Sequence, residues 1–91
     1  MSSDPEALAA EAFAVESLEP RTWSNEPSYR YSEHQHPFHK VLFCARGSIT
    51  FHTPEGDVRL GPGDRLELPP GTPHSATVGD KGVTCMEAPR S

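Results

Sequence analysis

Apolar and polar residues alternate along most of this chain, in short runs broken by glycine and proline. Tyr29 and Tyr31 alternate with Ser28, Arg30 and Ser32; Val58 and Leu60 alternate with Asp57, Arg59 and Gly61; Leu66 and Leu68 alternate with Arg65 and Glu67. A period of two, with aromatic and branched residues on one face, marks half-buried strands. Residues 40–45 form the most apolar run, with Val41, Leu42, Phe43 and Cys44. Ile49-Thr50-Phe51-His52 reads as another alternating strand, and Arg46-Gly47-Ser48 is expected to turn the chain between the two. Pro54-Glu55-Gly56-Asp57 and Gly61-Pro62-Gly63-Asp64 read as turns, and Pro69-Pro70-Gly71 as a corner. Two last strands are expected over residues 74–78 and 82–87, joined by a turn at Gly79-Asp80-Lys81. Short strands spaced by about 8–12 residues argue for an all-β sandwich or barrel.

The N-terminus has a different pattern. Ser3-Asp4-Pro5-Glu6 is a helix start: Ser3 can cap, Pro5 fits the first turn, and Glu6 follows Ser3 at capping-box spacing. Ala7 to Phe13 continues with good helix formers. So short a helix needs packing to persist, either as an arm on the barrel or on a partner subunit; otherwise it is a frayed extension. The chain thus divides into a helical extension over residues 1–13 and a barrel over residues 14–91. Val15, Ser17 and Leu18 read as a short strand ended by Glu19-Pro20. Trp23 belongs to the next apolar stretch, before Asn25-Glu26-Pro27 turns the chain.

Composition narrows the role. Ninety-one residues with 34% hydrophobic content make one domain near the lower end of self-sufficient size. Dimerisation or a bound metal is the natural supplement, and a homodimer is expected. A net charge of −5, with eight basic residues scattered in no run, excludes a binder of nucleic-acid backbones. No apolar stretch approaches the ~20 residues of a membrane helix, and no signal peptide is evident. The two cysteines, Cys44 and Cys85, have no metal-type spacing. A cytoplasmic protein with reduced thiols is therefore expected.

The chemistry is concentrated in Glu33-His34-Gln35-His36-Pro37-Phe38-His39-Lys40, which holds three of the five histidines. Neutral imidazole is the commonest nitrogen ligand of transition metals. On a regular strand His34 and His36 point to one face, and Tyr31, Glu33 and Gln35 to the other. A fourth histidine, His74, follows the Pro-Gly corner. The hairpins between the two segments can bring a strand around His74 beside the first.

These two segments resemble the two motifs of the cupins. The second cupin motif, G-x5-P-x-G-x2-H-x3-N, matches from Gly63 through Pro69 and Gly71 to His74, with Val78 in the terminal Asn place. The first, G-x5-H-x-H-x(3,4)-E-x6-G, matches at His34, His36 and Gly47, with Ser28 in the leading Gly place and Lys40 in the Glu place. The resemblance covers roughly residues 28–88. It implies an all-β fold, a small cupin-type β-barrel (double-stranded β-helix or jelly roll), here with a short N-terminal helix. It further implies a divalent transition metal ion, Zn, Fe, Ni or Mn, on His34, His36 and His74.

The family's fourth ligand does not carry over, because a charged lysine does not ligate metal. Three arrangements stay open: a bare three-histidine site with water positions, His39 as a fourth ligand, or displacement of the metal by Lys40. A metal-free barrel whose histidines hold an organic ligand is a further reading. Parity points Lys40 inward with Leu42 and Cys44, and His39 outward unless Pro37 rotates it. Lys40, Cys44 and Phe38 are expected to line the pocket, and an inward Lys40 could pair with a substrate carboxylate. Glu33, Glu67 and Glu87 are the remaining candidate carboxylates, with Glu67 facing solvent by alternation. The expected function is that of a metal-binding small cupin, either a metal-dependent enzyme acting on a small molecule or a non-enzymatic ligand- or metal-binding sensor module.

Overall fold

The computed structural model describes residues 4–90, and in it helix α1 runs Pro5–Val15. Ser3, the expected cap, lies outside the described residues. Asp4 takes the cap position, and its carboxylate accepts the Glu6 N–H at 3.2 Å. The short strand expected around Val15 and Leu18 is not formed, because the helix runs on and then closes on itself. The Ser17 N–H donates to the Ala14 carbonyl at 3.0 Å and the Leu18 N–H to the Phe13 carbonyl at 2.9 Å, with Ser17 at φ 60. That is a Schellman termination with serine, not glycine, in the left-handed position. Leu18 and Phe43 pack on a buried cluster of Ala9, Phe13, Val41, Met86 and Ala88, so the helix lies on its own barrel.

Six strands follow: β1 Arg21–Asn25, β2 Arg30–His34, β3 His39–Thr53, β4 Gly56–Leu60, β5 Arg65–Leu68 and β6 His74–Arg90. The long strands β3 and β6 are antiparallel and paired from His39↔Arg90 to His52↔Ser75. One half of this ribbon carries β5 beside β3 and β1 beside β6; the other half carries β4 beside β3 and β2 beside β6. The halves close on one core that includes Leu42, Cys44 and Cys85 from the first and Ile49, Phe51, Ala76 and Val78 from the second.

Two expected turns are bends within continuous strands. The β3–β6 ladder shifts register between Cys44 and Arg46, and again between Gly47 and Ile49. Such bulges leave both strands paired but exchange the faces of their residues. The core positions accordingly change from even (Leu42, Cys44) to odd (Ile49, Phe51) along β3, and from even (Ala76, Val78) to odd (Val83, Cys85) along β6. Residues 79–82 have no partner on β3, although β6 continues through them. Gly47 sits at φ 70 in this bend. Ser28, in the motif's glycine place, is itself held at φ 64, where its N–H donates to the Gly79 carbonyl at 3.1 Å.

An ion cluster ties the helix end to the sheet. Arg65 grips Glu16 with two bonds of 2.6 and 3.0 Å, and the Arg90 guanidinium donates to the same carboxylate. These hydrogen bonds, first Arg65 and then Arg90, bring the Glu16 carboxyl from the usual 4.5 down to about 2. The folded state therefore binds fewer protons than the unfolded chain through that interval. The stability Glu16 contributes is complete above about pH 4.5 and is lost as pH falls toward 2. Glu16→Gln is expected to flatten this part of an acid-unfolding curve read by circular dichroism. Superimposable curves for variant and wild type would sink the assignment.

Candidate metal centre

His34 closes β2 and stands directly opposite His74, which opens β6. His36 lies two residues beyond the end of β2, so a loop and not strand alternation brings it in. Its carbonyl accepts the Gly71 N–H at 2.7 Å, which ties the loop to the Pro-Gly corner preceding His74. Both cupin-like segments are thus fastened to each other by backbone as well as by strand pairing. The ring centroids stand 4.3 Å apart for His34 and His74, 4.9 Å for His34 and His36, and 5.4 Å for His36 and His74. One ligand atom from each lies within 4.8 Å of the other two.

The ring nitrogens are already sorted. His34 Nδ1 bonds the Ser32 carbonyl at 2.7 Å and His74 Nδ1 bonds the Thr72 carbonyl at 2.9 Å. A carbonyl only accepts, so each Nδ1 carries a proton and, in the neutral ring, each Nε2 keeps a free lone pair. This is the outer-shell arrangement that orients metal-ligating histidines. His36 Nε2 is buried and has no hydrogen-bond partner, which is costly for a polar atom unless something binds it. Burial holds His36 and His74 below the ordinary imidazole value, and the Lys40 charge adds to this at both. His74 is only 2% exposed. Three converging imidazoles, each with a nitrogen to offer when neutral, form a donor set that zinc, iron or nickel accepts. The residues present fit such an ion.

His39 does not join this group. Its Nε2 pairs with Glu67 at 2.8 Å on the outer surface. Phe38 stacks on His36 with ring centroids 5.1 Å apart, so it covers that ligand face instead of lining the pocket. A cavity of about 200 Å³ adjoins the histidines, with His34, His74, Lys40 and Glu87 in its wall. The Lys40 ammonium is 3.1 Å from Glu87 Oε2, and the Trp23 indole N–H donates to Glu87 Oε1 at 2.6 Å. Tyr31, Leu42, Phe51 and Ala76 give the cavity an apolar side.

Two expectations about this pocket need correcting. Cys44 does not line it: the parity is right but the depth is not, and Cys44 lies in the closed core directly opposite Cys85. Tyr31 does line it, because the β2–β6 register shifts between Tyr31 and His34 and a regular strand would have put the two on opposite faces. The sequence alone leaves Glu87 as one of three possible carboxylates and Trp23 as part of an apolar stretch. The register of β1 on β6 brings them together, and no local pattern announces that pairing.

The AraC-like ligand binding domain family matches residues 22–85. The chain belongs to this family, a cupin-type domain. No curated protein sequence matches this cupin. Among solved structures it resembles the crystal structure of a DMSP lyase from Ruegeria pomeroyi, at 28% identity and a TM-score of 0.74, over 81% of this chain and 38% of the lyase chain. It also resembles a cupin-2 domain protein from Shewanella frigidimarina at 17% identity and a TM-score of 0.68, over 80% of this chain and 71% of the other. A third likeness is to oxalate decarboxylase from Bacillus subtilis, at 20% identity and a TM-score of 0.73, over 81% of this chain and 21% of the other. The cupin thus spans about two fifths of the length of the lyase chains it matches. Among the described residues no helix is long and apolar enough to cross a membrane.

Proposed function

We propose that this cupin holds one divalent transition metal ion on His34, His36 and His74, and binds a small molecule in the adjoining cavity. The observation that carries this reading is the unspent nitrogen on each of three converging imidazoles, above all the buried and unpartnered Nε2 of His36. A bound divalent ion would supply a Lewis acid, or a redox centre if it were iron. The chain's own groups do the rest. The Ser32 and Thr72 carbonyls fix two rings, Phe38 covers the third, and the apolar wall excludes water from one side of the ligand.

Protein purified without added metal is expected to carry about one equivalent of metal per chain by elemental analysis. After chelation, re-addition at a hundred times the dissociation constant should restore about 2.7 kcal/mol, or some 10–20 °C of melting temperature for a domain of this size. Metal-free protein that shows no thermal shift with zinc, iron, nickel or manganese would overturn the reading.

A metal-dependent enzyme acting on a small molecule is the second reading, and the likeness to a DMSP lyase favours it. The family favours a binding or sensor module. Metal-dependent turnover of any small molecule separates the two.

A further inference from the structure

We infer that the molecule this cavity takes is a small organic anion, a carboxylate on an apolar body, and that Lys40 selects it. The inference rests on the reading above only for where the ligand sits.

Lys40 reaches the cavity from β3 with its side chain only 12% exposed, and among the described residues Glu87 is its one ion partner. An ammonium has three donors, so two are left for a ligand. Glu87 is the one carboxylate in the cavity wall among the described residues. One of its oxygens faces Lys40 and the other accepts the Trp23 indole N–H. It serves as a fixed counter-ion that holds the lysine head at the cavity wall. Arg21 also lines the cavity, stands opposite Glu87 in the β1–β6 register, and forms no ion pair among the described residues. Residues directly opposite on antiparallel strands project to the same face, so Arg21 adds a second unspent cationic group on that side.

Two cationic side chains against one carboxylate leave the wall with an excess of positive charge, which a divalent ion on the histidines would increase. A neutral polyol brings no charge to offset this excess. An anion brings acceptors only, and its charge-assisted bonds to lysine are the stronger kind. Trp23, Leu42 and Phe51 on the remaining wall call for an apolar body. The volume of about 200 Å³ lies below the usual range for drug-sized ligands, so that body is short.

The experiment uses 3-methylbutanoate and its isosteric neutral amide, 3-methylbutanamide, titrated by ligand-observed NMR. Each is added to zinc-treated and to chelated wild-type protein, and to Lys40→Met. The expected result is that the acid binds wild type at least about tenfold more tightly than the amide in both preparations. In Lys40→Met the gap closes while zinc content stays unchanged and the circular dichroism spectrum stays native. Equal binding of acid and amide to wild type would overturn the proposal, as would no binding of either at millimolar concentration. A gap that persists undiminished in Lys40→Met would also overturn it, because zinc or Arg21, and not Lys40, would then supply the preference. If zinc is not bound but a Lys40-dependent gap remains, the metal reading falls and this one stands. Should Lys40→Met fail to fold, Lys40→Met combined with Glu87→Gln removes both charges of the pair and serves in its place.

Discussion

Gly47→Ala should lower the melting temperature by about 15–30 °C, a loss of about 4 kcal/mol. A Cβ at position 47 would stand 1.9 Å from the Gly82 carbonyl oxygen, 2.8 Å from its carbon and 3.1 Å from the Val83 Cα. All three are backbone atoms of the strand on which β3 is paired, so no rotamer change relieves the overlap. The backbone there is also left-handed, which costs any residue with a Cβ about 1–2 kcal/mol by itself. Against a total stability of about 5–15 kcal/mol for a domain of this kind, the variant would lose about a quarter to four fifths of it. Gly63→Ala is the control. Gly63 is left-handed too, at φ 91, but nothing lies within 4 Å of its Cβ position, so only the backbone penalty applies. Thermal melts of the two variants that coincide would show that the bend is not closely packed at Gly47.

His74→Ala should abolish stoichiometric metal binding and leave the barrel folded. His74 is the most buried of the three histidines and the one opposite His34 across the β2–β6 pair. Loss of a mere outer-shell partner costs 10–100-fold in metal affinity, so loss of a ligand is expected to cost more than about a hundredfold. The fold survives because the deleted ring borders an existing cavity and its hydrogen bond goes to a carbonyl, Thr72, in a corner where water can replace it. His39→Ala is the informative comparison: its ring faces Glu67, so metal content should be unaffected. Undiminished metal in His74→Ala, by elemental analysis on protein with a native circular dichroism spectrum, would dismiss the site.

The sequence carried the fold because both cupin-like segments consist of residues with strong local meaning. Gly63, Pro69, Gly71 and Gly47 each demand a particular backbone shape, and His34, His36 and His74 sit at fixed distances from them. Alternation placed most strands for the same reason. It failed where the chain keeps its partner but changes its face. At Gly47 and again over residues 79–82 a bend inside a strand carries the same local signal as a turn between strands, and only the partner strand tells them apart. The helix end was obscured for a smaller reason, a serine in the place where glycine usually stops a helix.

In the site, the metal-type ligands were legible and the cavity was not. Lys40 stood out as the residue that breaks the motif, but its partner is 47 positions away on β6, and Trp23, which shares that partner, is on β1. Charge complementarity between distant strands leaves no trace in spacing.

The long β3–β6 ribbon also sets an order in time. His52 and Ser75 pair across a short stretch of intervening chain, whereas His39 and Arg90 pair across more than twice as much. Closing the shorter loop is entropically cheaper, and each pair formed then shortens the loop left for the next. The ribbon should therefore close like a zip from the His52 end, which assembles the half of the barrel that carries His34 and His74 before the half against which the helix docks. With most of its contacts distant in sequence, the chain belongs among the slower-folding domains of its size. The last pairings to form are those that set Lys40 against Glu87.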